Sequence, residues 1–456
     1  MKTLKPVLFG LLAVSTIILL AFTFKPEKKA NVAKRLRPIP KGCVFMTVMG
    51  EEKSDSFFIY KTPERVEQSM NKGLQWIIQV QNEKGGWGAG SHSRQDILDP
   101  LAVNADPATT SMVAMAILRS GTTFTSGAYT AQLKMALNYL MNAVETSSGE
   151  SPTITTETGT QIQTKLGANI DVILTAQFLT NALDYLGHDA NLKSNVKRNL
   201  EICVNKIQRS QQGDGSFAGG SWAGVLQSAL ANNALESAQS AGASVDEKIL
   251  KRSREYQQGN IDTKSGDVKT ERGAGIVLYS VSGSARASAK GARKVEEEMN
   301  RAKVSGKLSE TAPVSVQNLE AIGFSKDEAL EYSTSYEVYQ AGKGQAQRDD
   351  VMAGFGNNGG EEFLSYLQTG ESMIIGKDNS WKNWYDNTSG RLLNIQNDDG
   401  SWNGHHCITS PVFCTATCLL ILSVNNDVER LEKIGDRKST RLNSSHERRS
   451  RMPSSA

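Results

Sequence analysis

The chain has 456 residues, 39% of them apolar and 22% charged; at roughly 100–200 residues per domain that is room for several ordinary domains or one large repeat array. The composition is neither that of a disordered, charge-rich chain nor that of a multi-span membrane protein. The formal charge of +3 is segregated: residues 1–41 hold nine Lys/Arg against one acidic residue and residues 436–456 hold six against two, so the body between them carries −9 and lacks the basic footprint of a nucleic-acid binder.

Residues 6–24, PVLFGLLAVSTIILLAFTF, are uncharged and follow Lys2 and Lys5. At about 1.5 Å per residue such a run crosses a hydrocarbon core of about 30 Å, and it also suits a secretory signal. No A-x-A cleavage site follows, which predicts an uncleaved anchor over residues 1–24 and a basic linker over 25–63. The cations at 25–41 would hold that side in the cytoplasm by the positive-inside rule. The short basic start before a long apolar run argues for export instead. The expected location is therefore membrane-anchored or exported, on the extracytoplasmic side of a bacterial inner membrane. The other reading of 6–24 is a buried core helix.

Residues 64–430 read as helices separated by Gly, Asn and Asp loops: 64–81, 108–119, 127–145, 165–186, 190–209, 222–240, 312–322 and 410–424. Val113, Ala116 and Ile117 recur at helical spacing, as do Ile173, Leu174 and Phe178, and alternating Val/Ile/Thr stretches are scarce. The class is all-α. From Asp436 the sequence DRKSTRLNSSHERRSRMPSSA has no apolar period and resembles translated sequencing-adapter sequence, so 436–456 is taken as a non-native tail with no function.

A similar phrase recurs three times. It runs from Gln79 to Trp87, from Gln208 to Phe217 and from Gln396 to Trp402. In each, a helix ends at a Gln-containing turn, acidic or amide residues and glycine form a loop, and an aromatic follows. Glycine permits positive φ there, Asp and Asn bond nearby amides, and the aromatic packs the loop onto its helices. New helices then start at Asp106–Pro107, Ser221–Trp222 and Ser410–Pro411, where a capping side chain or a proline disposes of orphan N–H groups. Repeated helical hairpins of this kind need neighbours to bury their faces.

These Q-x-x-D/N-G-x-W loops, with the PVF-x-TA helix start at 411–416, resemble the prenyltransferase and squalene oxidase repeats. The resemblance spans residues 65–425, strongly at the three loops and poorly between 240 and 380. It implies an α/α toroid of helical hairpins around a central cavity, degenerate or incomplete in the middle, in which the repeat motifs are structural. The branches of that superfamily lose their diagnostic residues here. There is no D-x-D-D acid motif, no Gly-Cys-Gly-Glu-Gln thioester motif and no residue-by-residue match to the Asp/Cys/His zinc site of the protein prenyltransferases. The glycine-rich stretch 352–360 lacks the G-K-S/T of a phosphate loop.

Several residues remain as candidates for a centre. His405 and His406 suit acid–base work because an unperturbed imidazole titrates near 6.5; the alternative is a pair of surface histidines. Asp106, beside Thr109, and Asp171, beside Asn169, either face the cavity mouth or cap helices. Trp222, Trp381, Trp384 and Tyr385 either contact an apolar or carbohydrate ligand or pack in the core, whereas Trp87, Phe217 and Trp402 read as loop-packing residues. Five cysteines, at 43, 203, 407, 414 and 418, give no disulfide scaffold. His405, His406 and Cys407 with Cys414 and Cys418 offer soft ligands, but their spacing matches no closed zinc pair; burial of Cys414 and Cys418 is the other reading.

No cofactor is called for. The expected function is noncatalytic binding of an apolar or isoprenoid-like ligand or of a protein partner. The alternatives are a divergent cyclase-like or transferase-like enzyme, or a toroid enzyme acting on polysaccharide through two converging carboxylates.

Overall fold

The computed structural model describes residues 60–217 and 221–436; the apolar stretch 6–24, all but the end of the basic linker and the tail from 437 lie outside the described residues. Among those described there are sixteen α-helices, and the only β pairing is two isolated bridges, Ser91 with Thr160 and Ile261 with Val268.

Six helices form an inner set: α2 (Pro107–Arg119), α5 (Ile170–Ala182), α7 (Gly224–Ser240), α9 (Val277–Val304), α13 (Glu362–Ile375) and α15 (Pro411–Leu422). Each packs on the next, and α15 returns to pack on α2, so the circuit closes. Six more lie outside them: α1 (Glu64–Gln79) against α15, α3 (Thr130–Thr146) against α2, α6 (Ala190–Arg209) against α5, α8 (Glu247–Gln258) against α7, α11 (Lys326–Ala346) against α9 and α14 (Trp381–Asn394) against α13. The first and last outer helices, α1 and α14, also touch. Four short helices complete the set: α4 (Gln161–Leu166), α10 (Val316–Ala321), α12 (Asp349–Met352) and α16 (Val428–Asp436).

The sequence explains which helices go inside. Every residue of α2 is buried, as is all of α5 but Gln177 and all of α15 but Pro411; a helix apolar on all sides has no face for water. α6 instead buries one stripe, Val196, Leu200, Cys203, Val204 and Ile207, at three- and four-residue spacing. No single helix among the described residues is long and apolar enough to cross a membrane. The pair Pro411–Leu422 and Val424–Gly435 passes on length and composition but is bent by 62°, and its first member is this inner helix.

The repeated phrases build one loop three times, and they align on the glutamine six residues before the aromatic: Gln81, Gln211 and Gln396. The earlier glutamines at 79 and 208 belong to the preceding helices α1 and α6. Each loop glutamine donates its Nε2 to the carbonyl of a left-handed glycine, Gly85, Gly215 or Gly400. The same Nε2 reaches a backbone carbonyl of the next outer helix: Gln132 of α3, Ile249 of α8 and Ser69 of α1. Those glycines also have no space for a side chain, since a Cβ at Gly215 would lie 2.4 Å from the Arg252 carbonyl oxygen. The third loop thus sews the C-terminal hairpin to the first helix of the domain.

The inside of the circuit is polar. Asn233 on α7 donates to Gln368 on α13, two helices that are not neighbours in the circuit, at 3.3 Å. Nearer the C-terminal ends of the inner helices, Arg119 of α2 bonds Glu371 of α13 at 2.6 Å and Asp427 at 2.9 Å, while Arg286 of α9 bonds Glu236 of α7 at 2.6 Å. Buried charges of this kind are tolerated because each is paired. The middle of the sequence, where repeats fade, supplies the two longest helices, α9 and α11.

Candidate functional site

Asp106 and Asp171 meet at the N-terminal ends of α2 and α5, and both are fully buried. Asp106 caps α2, accepting from the Thr109 amide at 2.7 Å, the Thr109 hydroxyl and the Ala89 amide. Asp171 accepts from Gln163 Nε2 at 2.7 Å and from the Ala108 amide at 3.3 Å. Burial pushes Asp106 up to about 6, and burial followed by repulsion from Asp106 pushes Asp171 up to about 7. The pair ties loop to helix and helix to helix, and neither carboxyl reaches the surface.

A proton is thus held more tightly in the fold than in the unfolded chain, so these groups favour folding below the usual aspartate range and oppose it as pH rises through 6–7. Asp171→Asn removes that ionisation. The variant is expected to match the parent near pH 3 and to exceed it by about 1–3 kcal/mol at pH 8, measured by urea unfolding at both pH values. A variant weaker than the parent at pH 8 would mean that the ionised form is the one the fold needs.

The other sequence candidates separate. His405 and His406 are exposed, with their Nδ1 atoms 3.2 Å apart, and among the described residues neither ring bonds a carboxylate or a hydroxyl. Trp381, Trp384 and Tyr385 are buried: Trp381 and Tyr385 pack edge-on to Tyr60, and the Trp384 ring packs against Gly370, where a Cβ would lie 2.3 Å from it. They fill space between helices and offer no face to a ligand. Cys414 and Cys418 are buried in α15, and among the described residues no three His, Cys, Asp or Glu side chains converge to hold a metal. Trp222 alone of the four aromatics is open, 63% exposed, with the Lys165 Nζ 4.2 Å from its ring centroid.

Lys165 leads to a group that motif reasoning passed over. At the N-terminal end of the inner helices, the half-buried Cys407 faces both the Lys165 ammonium and the Glu361 carboxylate, and His92 bonds its backbone carbonyl. Lys165 and Glu361 are almost entirely buried, and Glu361 Oε2 has no further hydrogen-bond partner. Burial and the Glu361 carboxylate raise the Cys407 thiol, against the pull of Lys165, and burial raises Glu361. Burial and Lys165 lower His92, which favours a neutral ring. Cys407 sits at φ 64°, a left-handed conformation that costs a non-glycine residue on the order of 1–3 kcal/mol.

Sequence spacing had no means of joining these residues, because they come from four separated segments. Gln161 at the start of α4 draws them together. Its Oε1 accepts from the Thr409 and Ser410 amides at 2.7 and 3.1 Å, while the Thr409 hydroxyl bonds the Gln95 carbonyl at 2.9 Å. The glycine-rich stretch contributes by lacking side chains: a Cβ on Gly359 would lie 2.2 Å from Glu361 Oε2 and 2.7 Å from Cys407 Cβ. That close approach is what the run of glycines at 354–360 signals.

The same end of the circuit carries exposed apolar side chains. Leu98 and Leu101 are 48% and 64% exposed and line a cavity of about 360 Å³ with Trp76, Val80, Pro100 and Pro411, rimmed by Asp99 and Asp399. No protein-family model matches the chain, and neither a curated protein nor a solved structure does.

Proposed function

We propose that residues 64–430 form an α/α toroid of helical hairpins of the prenyltransferase and squalene oxidase repeat type. In this reading it is held at or exported across a membrane by residues 1–24 and binds a protein partner without catalysing a reaction on it. The closed circuit of six inner and six outer helices supports the toroid, as do the three equivalent glutamine loops. The observation that carries the binding role is the exposure of Leu98, Leu101 and Trp222 on one end. Exposed apolar groups beside a rimmed cavity are the usual mark of an interaction surface. The acidic rim and the −9 body select a partner segment with an apolar side chain next to a basic one.

The alternatives narrow on the same grounds. An apolar or isoprenoid-like ligand inside the ring is disfavoured because Asn233, Gln368 and the buried ion pairs cross that space. The cyclase and glycosidase readings draw no support from Asp106 and Asp171, whose oxygens accept from amides and the Thr109 hydroxyl within the wall. A transferase-like enzyme stays as the second reading, because Cys407, Lys165 and Glu361 converge.

A photo-crosslinking amino acid placed at Leu101 or Trp222 of the full chain, expressed in the native host, tests the proposal. It is expected to give a discrete protein adduct, whereas the same group at the exposed Leu330 gives none. Absence of an adduct, together with an isoprenoid-like molecule released on denaturing the purified chain, would replace the partner reading with the ligand one.

A further inference from the structure

The opposite end of the circuit, where α5 and α7 finish, holds a cavity of about 440 Å³ lined by four cations, Lys193, Lys197, Arg430 and Lys433. This volume is in the range of small-molecule sites, and Leu183, Ala241 and Ile434 give it an apolar floor with the Ser240 hydroxyl beside it. The charge arrangement is the unusual part. Lys193 and Lys197 are an i,i+4 like-charge pair, which weakens a helix, and Lys193, the fourth residue of α6, stands near its N-terminus, where a cation opposes the helix dipole.

Lys193, Lys197 and Lys433 are exposed at the rim of the cavity, so water rather than a protein carboxylate solvates them. Arg430 is committed to Asp427, but Lys193, Lys197 and Lys433 form no ion pair among the described residues. Asp184, the one carboxylate in the lining, pairs with none of them. Three lysines with no carboxylate partner among the described residues converge on one cavity with an apolar floor, and that convergence points to an anionic ligand.

We propose that this basin binds a phosphate group, carried either by a small soluble molecule or by a lipid headgroup. Phosphate is favoured over carboxylate because the free donors are lysines, which act as point charges on a multiply charged anion. The one planar fork that would grip a carboxylate, Arg430, is already engaged. The site is separate from the apolar end and does not depend on the partner-binding reading.

The test uses the full chain in a nonionic detergent, titrated with pyrophosphate and, separately, with dihexanoyl phosphatidylglycerol below its micelle concentration. At least one probe is expected to bind saturably and to raise Tm, and the tighter of the two identifies the source. Lys193→Ala/Lys197→Ala should weaken that binding at least tenfold while leaving the ligand-free Tm unchanged or higher, since a repulsion is removed. Lys307→Ala/Lys326→Ala, far along the chain and outside the basin, should bind as the parent does. No saturable binding of either probe, or equal binding by the first double variant, would overturn the site.

Discussion

Arg119→Ala is expected to lower the free energy of unfolding by about 3–5 kcal/mol, because it removes one partner from a buried ionic network and strands the others. Arg119, at the last turn of α2, is almost fully buried. Its Nε donates to Asp427 at 2.9 Å, its Nη2 to Glu371 at 2.6 Å and its Nη1 to the Leu420 carbonyl at 3.1 Å. One guanidinium therefore links α2 to α13, to the end of α15 and to the turn that enters α16. Burial alone would raise Asp427, but Arg430 and Arg119 outweigh it and hold its carboxyl below the usual range. A carboxyl depressed in the fold stabilises it above the unfolded pKa and loses that contribution as pH falls. The penalty of Arg119→Ala should accordingly shrink toward acid pH, where the stranded carboxylates are neutralised. Urea unfolding at pH 7 and at pH 3, below the unfolded aspartate value, measures both effects. A loss below about 1 kcal/mol would place this network with exposed ion pairs, which contribute little.

The outer architecture was more legible than the site, for reasons visible in single residues. α2, α6 and α15 announce themselves by capped starts and apolar spacing, and the loops at 81–87, 211–217 and 396–402 repeat because one set of hydrogen bonds is made three times. α9 was invisible to the same reading. Between Leu278 and Ala289 its buried residues are mostly small, Ser280, Ser282, Gly283, Ser284, Ala285, Ala287, Ser288 and Ala289, which let helices approach closely but blur any apolar period. The ring contacts follow from that smallness: Ser284 bonds the Gln257 carbonyl at 2.6 Å, and Gly283 leaves room for Ala229 and Gln257. Nearby, left-handed Gly266 accepts from Gln345 of the next outer helix, a bond made from the helix side and with no loop glutamine or aromatic to mark it. Periodicity reports how a helix meets a core, not which loop ends meet in space. Cys407, Lys165 and Glu361 therefore came together only through the fold, while His405 and His406, conspicuous as a pair, stayed in solvent.

The second large effect concerns closure. Trp402 is completely buried; its indole N–H donates to the Leu392 carbonyl at 2.9 Å and its amide to the Thr415 hydroxyl at 2.9 Å. Trp87 repeats both bonds, with the Ile77 carbonyl and Thr110, but Trp402 occupies the junction of the last hairpin with the first. A Cβ on Gly73 of α1 would stand only 2.9 Å from the Trp402 ring, so helix and indole are in direct contact across that seam. Trp402→Ala is expected to cost about 3–5 kcal/mol, from the cavity it opens and the carbonyl it leaves unpaired. Trp402→Phe should cost less, about 1–2 kcal/mol, since Phe217 serves the second loop with no N–H to donate and its amide still bonds the Ser228 hydroxyl. Amide hydrogen exchange separates a local defect from an opened circuit. In Trp402→Ala, protection should fall in α1 and α14 together, because the indole bonds one and packs on the other. Loss confined to residues 396–415 would show that the seam is held by Gln396 and the contacts of α15 with α2 instead, with the tryptophan only filling its own loop.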